Sequence, residues 1–359
     1  MNSPVYIIAE AGVNHNGSTE LALKLIDAAA EAGADAVKFQ TFKAANLVTR
    51  AAPKAGYQTQ RTDATESQFD MLQALELDRS QHERLIAHAR ERGLDFISSP
   101  FDLDSVDLLT ELRVQRLKIA SGELTNSPLL LKAARTGVPV ILSTGMARPG
   151  EIRTALGVLA FGYLNNDTPP SKAAFESLAN TATAREILKE KVVLLHCTTE
   201  YPAPFEEVNL LAIDTLRETF GISCGFSDHT PGVAASVASI ARGASVIEKH
   251  MTLDRSLPGP DHQASLDPAE FRLLVQSVRE AALALGSSEK CPTASESRNL
   301  LIVRKSIVAA RPIQAGEPLT EENLTTKRPG GGIPPHDFWD LLGSVADRDY
   351  ETDSPIQRP

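Results

Sequence analysis

The chain has 359 residues, of which 42% are hydrophobic and 23% charged, and these proportions are typical of a folded globular protein rather than a disordered one. A formal net charge of -10 argues against a surface that binds nucleic acid. Neither a basic leader followed by an apolar run nor an apolar stretch of about 18 residues occurs. We therefore expect a protein that is neither exported nor membrane-spanning.

The cysteines point to a reducing compartment. Cys197, Cys224 and Cys291 are odd in number and widely spaced, which argues against a framework of disulfides. We expect free thiols and a cytoplasmic location.

Apolar runs of strand length alternate with amphipathic helical stretches up to about residue 285, which is the pattern of a parallel α/β fold. The predicted strands are 5–11, 36–42, 95–101, 116–122, 138–145, 192–199, 222–228 and 244–252. Eight parallel strands in this length predict an α/β fold of the (β/α)8 TIM-barrel type. A doubly wound open sheet is the alternative.

Two insertions interrupt the alternation. Residues 44–77 form a polar connection rich in Gln and Thr, far longer than usual, and are a candidate lid or partner-contact loop. Residues 163–190 lie far from the polar strand ends, which favours a structural role.

The barrel pattern stops near Gly286. We predict a catalytic barrel domain at 1–285, a linker at 286–298 and a small domain at 299–359 with strands at 306–310 and 345–348. A domain of this size with little apolar content is only marginally stable alone. It should therefore pack on its own barrel or on a second subunit.

Polar side chains follow nearly every predicted strand. In a TIM barrel the functional groups gather at the carboxyl ends of the strands. The residues of interest there are Glu10, Lys38, Gln40, Ser99, Lys118, Ser121, Glu123, Ser143, Thr144, His196, Thr198, Thr199, Ser227, Asp228, His229, Glu248, Lys249 and His250. Ser18 is placed to cap the helix after the first strand.

Lys38 and Lys118 lie in apolar strand segments, where a lysine is costly unless an anion meets it. An anionic substrate is the simplest partner for both. The alternative for Lys38 is an internal salt bridge with Glu10 or Glu123.

His229 and His250 end neighbouring predicted strands, so their imidazoles should reach the same space and hold a metal. A histidine satisfied within the core is the alternative. Two imidazoles with oxygen ligands suit Mn²⁺, Mg²⁺ or Co²⁺ better than a structural zinc. Met146, Cys197 and Phe226 are expected in the core.

Seven segments recur in an order specific to one family. They are IAEAGVNHNG at 8–17, VKFQTF at 37–42, KIASGE at 118–123, STGM at 143–146, SDH at 227–229, EKH at 248–250 and GPDH at 259–262. With these segments the chain resembles the sialic acid synthase family, which condenses phosphoenolpyruvate with an N-acylhexosamine to form a nonulosonic acid. The tail resembles the family's small C-terminal SAF (antifreeze-like) domain, with Lys305-Ser306 and RPGGG at 328–332.

The resemblance implies a role for each matching position. His229 and His250 match metal ligands, with Mn²⁺ expected first, and Glu10 matches a carboxylate near the reacting centre. The residues that match positions around phosphoenolpyruvate are Lys38, Lys118, Ser121 and Thr144. Ser99 and Ser227 match further positions on the phosphate side of that substrate. Residues matching the sugar side are Gln40, Tyr201 and Asp261, together with Arg328 from the SAF domain of the other subunit in a domain-exchanged homodimer.

The sixth strand departs from many sialic acid synthases, because Thr199 replaces the amide that those enzymes carry and Glu200 follows it. This change alters the donors and acceptors that would face the sugar. The surrounding string resembles the legionaminic acid branch, whose acceptor is 2,4-diacetamido-2,4,6-trideoxymannose. N-acetylneuraminate synthase, acting on N-acetylmannosamine, is the alternative. A metal-dependent aldolase and a sugar-phosphate binding protein are more distant ones.

Overall fold

The computed structural model describes residues 5–54, 59, 66–164 and 168–358. Its first part confirms the predicted TIM barrel, because eight strands close into a barrel in which each pairs in parallel with its sequence neighbours and β1 pairs with β8. The strands are β1 (Tyr6–Gly12), β2 (Ala36–Thr41), β3 (Asp95–Pro100), β4 (Leu117–Ile119), β5 (Val140–Ser143), β6 (Val192–Cys197), β7 (Ser223–Asp228) and β8 (Val246–His250).

Helices surround this barrel. They are α1 (Thr19–Ala32), α2 (Ala44–Leu47), α3 (Gln68–Ala74), α4 (Arg79–Glu91), α5 (Leu103–Glu111), α6 (Ser127–Arg135), α7 (Pro149–Tyr163), α8 (Lys172–Ala179), α9 (Ala182–Lys191), α10 (Ala212–Phe220), α11 (Ala234–Ala241) and α12 (Pro268–Leu285). Several start at side-chain caps, each worth about 1 kcal/mol. Ser18 accepts the Leu21 N–H at the start of α1, as predicted.

The barrel interior has an apolar lower layer and a charged upper one. The lower layer consists of Ile8, Ala36, Ile97, Ile141, Leu195 and Val246. Glu10 follows Ile8 by two residues on β1, and Lys38 follows Ala36 by two residues on β2. Glu10 and Lys38 are register partners. Because strand residues two apart point to the same face, these charged side chains stand above the apolar layer, at the carboxyl end of the barrel.

The two predicted insertions differ in structure. The described parts of 44–77 include α2 and α3, while 55–58 and 60–65 lie outside the described residues. The second insertion forms α8 and α9, with 165–167 outside the described residues. Phe175 of α8 is buried and packs edge-on against Phe161 at a ring distance of 5.1 Å. This packing supports the expected structural role of the second insertion.

The chain divides into two compact units, Met1–Gly286 and Ser287–Pro359. The second contains α13 (Ala294–Val303), α14 (Phe338–Leu341) and an antiparallel pair, β9 (Ser306–Ala309) with β10 (Leu324–Lys327). The predicted linker at 286–298 thus overlaps the start of α13. The predicted strand at 345–348 was wrong, because Val345 forms only an isolated bridge with Pro318. Among the described residues, no helix is both long and apolar enough to cross a bilayer.

Candidate active site

A cavity of about 550 Å³ opens at the carboxyl end of the barrel strands. Most of the predicted site residues line it: Glu10, Lys38, Gln40, Ser99, Lys118, Ser121, Thr199, Tyr201, Ser227, His229, His250 and Asp261. Two predicted residues are placed elsewhere. Thr144 is buried and its hydroxyl donates to the Leu195 carbonyl over 2.9 Å, and Arg328 lies in the second unit.

Four buried charges form what we call the charge network: Glu10, Lys38, Lys118 and Glu248. Lys38 Nζ lies 2.9 Å from Glu10 Oε1 and 3.7 Å from Glu248 Oε2. Lys118 Nζ lies 3.7 Å from Glu248 Oε1. The structure therefore shows the internal salt bridge to Glu10 that the sequence left as the alternative for Lys38.

The two carboxylates of the charge network differ in proton affinity. Burial raises the pKa of Glu10 to about 7, and the negative charge of Glu248 acts in the same direction. Burial opposes ionisation at Glu248 as well, but the positive charges of Lys118 and Lys38 outweigh it and lower the pKa of Glu248 to about 2. Of the two carboxyl groups, Glu10 therefore binds a proton more readily, and Glu248 is the stronger acid beside the two lysines.

Hydroxyl groups hold the charge network in place. Lys118 Nζ donates to Ser143 Oγ over 2.7 Å, and Lys38 Nζ donates to Ser99 Oγ over 3.3 Å. Ser227 Oγ donates to Glu248 over 2.8 Å. These hydroxyls and the two ammonium groups could together meet an oxyanion.

His229 and His250 lie side by side in the cavity wall, with ring centroids 5.5 Å apart. The Nδ1 of His229 lies 2.6 Å from the Thr198 carbonyl, so Nδ1 carries the proton and the lone pair is on Nε2. Burial lowers the pKa of His229 to about 4 and that of His250 well below its usual range. Both imidazoles are therefore neutral at pH 7, which is the form that binds metal.

The two neutral imidazoles could bind a divalent cation whose remaining ligands come from water or substrate. The Nδ1 of His250 is buried without a hydrogen-bond partner in the described part of the chain. However, no group of three His, Cys, Asp or Glu side chains that could hold a metal occurs among the described residues. A cation here would need oxygen ligands from water or substrate.

Gly145 brings three polar side chains together beside the cavity. A Cβ atom there would lie 2.3 Å from Thr199 Oγ1, 2.8 Å from Ser121 Oγ and 3.0 Å from Cys197 Sγ. The backbone N–H of Gly145 donates to Ser121 Oγ over 3.1 Å. Cys197 lies in the core as expected but also contacts Ser121, whereas the core assignment of Met146 was wrong, since 72% of it is exposed.

Two loops meet at the rim of the cavity near Asp261. Asn16 donates to the Pro258 carbonyl over 2.9 Å, and Asn14 donates to Met251 O and Ser265 Oγ. The loop after β1 is thereby tied to the loop after β8. These contacts fix the segment that carries Asp261 at the cavity wall.

The described ends of the 44–77 insertion also line the cavity. Leu47 and Val48 at the end of α2 contribute to the wall, as do Gln68, Met71 and Leu72 of α3. Met71 packs with Val13 and Phe42 in a small apolar cluster. The insertion therefore covers one side of the site.

Comparison with known proteins identifies the family. The NeuB family model matches residues 25–290 and the SAF domain model matches residues 304–359. The chain belongs to the NeuB family.

Relatives within the NeuB family match over nearly the whole chain. An N,N'-diacetyllegionaminic acid synthase of Campylobacter jejuni is 48% identical, with 98% of each chain covered. One of Legionella pneumophila is 44% identical over 94% of this chain and 89% of its own. A crystallised N-acetylneuraminic acid (sialic acid) synthetase of Leptospira borgpetersenii is 32% identical, with a TM-score of 0.66, covering 83% of this chain and 90% of its own.

Proposed function

We propose that this NeuB-family protein is a transferase that condenses phosphoenolpyruvate with 2,4-diacetamido-2,4,6-trideoxymannose to give N,N'-diacetyllegionaminate and phosphate. The observation that carries the proposal is one cavity that contains both buried lysines and both neutral histidines. The names of the Campylobacter and Legionella relatives support this acceptor.

Phosphoenolpyruvate would lie against the charge network. Lys38 and Lys118, with the hydroxyls of Ser99, Ser121 and Ser227, offer donors to its phosphate and carboxylate. Thr144 would not contact this substrate directly, because its backbone N–H and its hydroxyl both donate to the Leu195 carbonyl. Because the lysines are 2–4% exposed, their attraction for an anion is much stronger than in water.

His229 and His250 would hold a divalent cation, with Mn²⁺ first and Mg²⁺ or Co²⁺ as alternatives. When bound, it would supply Lewis-acid polarisation of the sugar's open-chain aldehyde. The protein side chains would keep the aldehyde carbon and C3 of phosphoenolpyruvate adjacent, so that the carbon–carbon bond can form between them.

Glu10 is the proposed proton acceptor. After C3 bonds to the sugar, C2 becomes electrophilic and water adds there, giving up a proton to Glu10. The resulting hemiketal phosphate breaks the bond between C2 and the phosphate-bearing oxygen while its C2 hydroxyl gives a proton to the departing phosphate, which leaves the ketone. Glu10 passes the proton that it took from water to the former aldehyde oxygen, which becomes a hydroxyl. A carboxyl with a pKa of about 7 suits this proton transfer at neutral pH.

The acceptor sugar would face the rim of the cavity. Gln40, Tyr201 and Asp261 lie there together with Thr199 and Glu200 of the loop after β6. N-acetylneuraminate synthase remains the second candidate, because the Leptospira structure carries that name. The difference between the two acceptors lies at C4 and C6, where hydrogen-bond partners decide selectivity.

We also propose a cytoplasmic homodimer with exchanged domains, in which Arg328 of one subunit reaches the sugar site of the other. The second unit has its own small core, including Ile307, Ala309 and Ile313. A unit this small gains stability from a larger surface to pack on.

Release of phosphate from phosphoenolpyruvate tests the proposed function. We expect release that requires an N-acylmannosamine-type sugar and stops when EDTA removes the metal. His250→Ala should abolish metal-dependent turnover while the protein stays folded. The proposal fails if phosphate never appears with such a sugar, or if chelation leaves the rate unchanged.

A further inference from the structure

A fully buried ion pair lies behind the two histidines. Lys249 Nζ is 3.0 Å from Asp228 Oδ2, and both side chains are 0% exposed. The two residues are register partners on β7 and β8. Because alternate strand residues point to opposite faces, the pair lies on the outer face of the barrel wall, while the neighbouring His229 and His250 line the cavity.

The ion pair connects four pieces of structure. Asp228 Oδ1 accepts from the backbone N–H and the hydroxyl of Thr230, both over 2.8 Å. Its Oδ2 accepts from Ser236 Oγ of α11 over 2.5 Å. Lys249 Nζ also donates to the Thr230 carbonyl over 2.5 Å. The end of β7, the turn after it, α11 and β8 are therefore joined at one point.

Stability alone is a weak reason for such a pair. Removing two charges from water costs much of what their attraction returns, and apolar residues of similar size often serve stability equally well. What the pair provides is a fixed geometry. Each member is the direct chain neighbour of one histidine, so the relative placement of Asp228 and Lys249 sets that of His229 and His250.

We propose that Asp228 and Lys249 are positioning residues that fix the separation and orientation of His229 and His250, and so set the affinity of the site for a divalent cation. The inference rests on the proposed function, because that function places the cation between these histidines. It assigns a role to two residues that touch neither the cavity nor a substrate.

The test replaces both charges together, Asp228→Leu with Lys249→Met, so that no unpaired charge stays buried. Affinity is measured with Mn²⁺ alone, from the electron paramagnetic resonance signal of the free ion, and stability from thermal unfolding. We expect Mn²⁺ binding to weaken roughly 10–100-fold. We also expect the Mn²⁺ concentration for half-maximal turnover to rise in parallel, while kcat at saturating Mn²⁺ stays near that of the wild type.

Ser236→Ala is the milder variant, because it removes one hydrogen bond to Asp228 and leaves the ion pair. It should weaken Mn²⁺ binding by a smaller factor than the double replacement. It also decides the matter if the double variant does not fold, since unchanged affinity in Ser236→Ala would then overturn the inference.

Thr41→Val is the matched control. Thr41 is buried in β2 and its hydroxyl bonds to His82 and Ser98, so this change removes buried hydrogen bonds away from β7 and β8. It should lower stability and leave Mn²⁺ affinity unchanged. An equal loss of affinity in the control would overturn the inference, as would wild-type affinity in a folded double variant. A wild-type protein that does not bind Mn²⁺ would instead contradict the proposed cation site itself, and with it the inference.

Discussion

At the scale of single residues, position 145 has no room for a side chain larger than that of glycine. An added methyl group would overlap Thr199 Oγ1 and Ser121 Oγ, and both side chains would have to move away from their places beside the cavity. Displacement of a positioning group by about 1 Å can cost roughly 100-fold in rate. We therefore expect Gly145→Ala to lower kcat/KM by at least about tenfold, measured by phosphate release.

The control for Gly145 is Gly150→Ala. Gly150 is exposed in the first turn of α7, and a Cβ there would meet nothing within 4 Å. Its kcat/KM should match the wild type. Equal activity in both variants would show that the contacts of Gly145 do not matter to turnover.

His15 makes stability depend on pH. Its ring is buried, Nδ1 accepts the Gly17 N–H over 3.0 Å, and burial with the nearby His82 and His262 lowers its pKa to about 4. Between pH 6.5 and 4 the unfolded chain binds a proton here that the folded protein does not, so stability falls as pH falls through this window. Between pH 7 and 5 this group should account for a loss of about 2 kcal/mol.

Urea unfolding at pH 7 and pH 5 measures this contribution. His15→Gln removes the titrating group, so the difference in unfolding free energy between the two pH values should shrink by about 2 kcal/mol. An undiminished difference in the variant would assign the pH dependence to other groups.

Polar strand ends were enough to predict Lys38, Lys118, His229 and His250, because their position in the chain places them at the cavity. Glu248 received no role, although it forms ion pairs with both lysines. Its importance depends on the register of β7 and β8, which pairs it with Ser227, and register cannot be read from one strand alone. Thr144 shows the same limit, since its side chain turns to the backbone.

At the scale of elements, the loops after β1 and β8 act as one unit. Asn16 of the loop after β1 donates to the Pro258 carbonyl of the loop after β8, and this second loop carries Asp261. Asn16→Ala removes this bond, worth about 1 kcal/mol, and the 3.3 Å contact of Asn16 Oδ1 with His262 Nε2. We therefore expect KM for the sugar to rise several-fold while KM for phosphoenolpyruvate stays unchanged. Steady-state kinetics with each substrate varied in turn measures this.

Ser256→Ala is the control for the loop. Ser256 lies in the loop after β8, but it donates to Asp254 of the same loop. Both KM values should therefore stay at the wild-type level. If Asn16→Ala raised both KM values equally, the loop contact would support the whole site rather than the sugar side.

The strands of the barrel were predictable because apolar runs with polar ends recur at regular spacing. The ends of the strands were less predictable. The strand β4 has only three residues, whereas the predicted strand at 116–122 continues into the turn at Ser121–Glu123. In the second unit the apolar pattern does not predict β10. This strand has the sequence LTTK, is only partly buried and contains no apolar run. Its pairing with β9 depends on tertiary contacts that its own sequence does not reveal.

At the scale of the whole molecule, the proposed exchange of domains between two subunits predicts complementation between two inactive variants. His250→Ala disables the barrel site and Arg328→Ala disables the residue that the second unit would contribute. Each variant alone should be inactive. In dimers of one copy of each, one of the two sites would combine an intact barrel with an intact Arg328, so random mixing should restore about a quarter of wild-type activity.

Co-expression of the two variants, with phosphate release as the readout, measures this restoration. Lys327→Ala mixed with His250→Ala is the control, because Lys327 is paired with Asp353 and the Lys327→Ala subunits should be active by themselves. Inactive parents with no restoration in the mixture would show that Arg328 acts on its own subunit, and an Arg328→Ala variant that is active by itself would show that Arg328 is not needed.

The proposed condensation is tested most directly by the product formed in competition. Equal amounts of 2,4-diacetamido-2,4,6-trideoxymannose and N-acetylmannosamine are incubated with the protein, Mn²⁺ and limiting phosphoenolpyruvate, and the products are identified by mass spectrometry. We predict that N,N'-diacetyllegionaminate predominates, with one phosphate released for each molecule formed. An excess of N-acetylneuraminate would contradict the acceptor, and the absence of both acids would contradict the condensation itself.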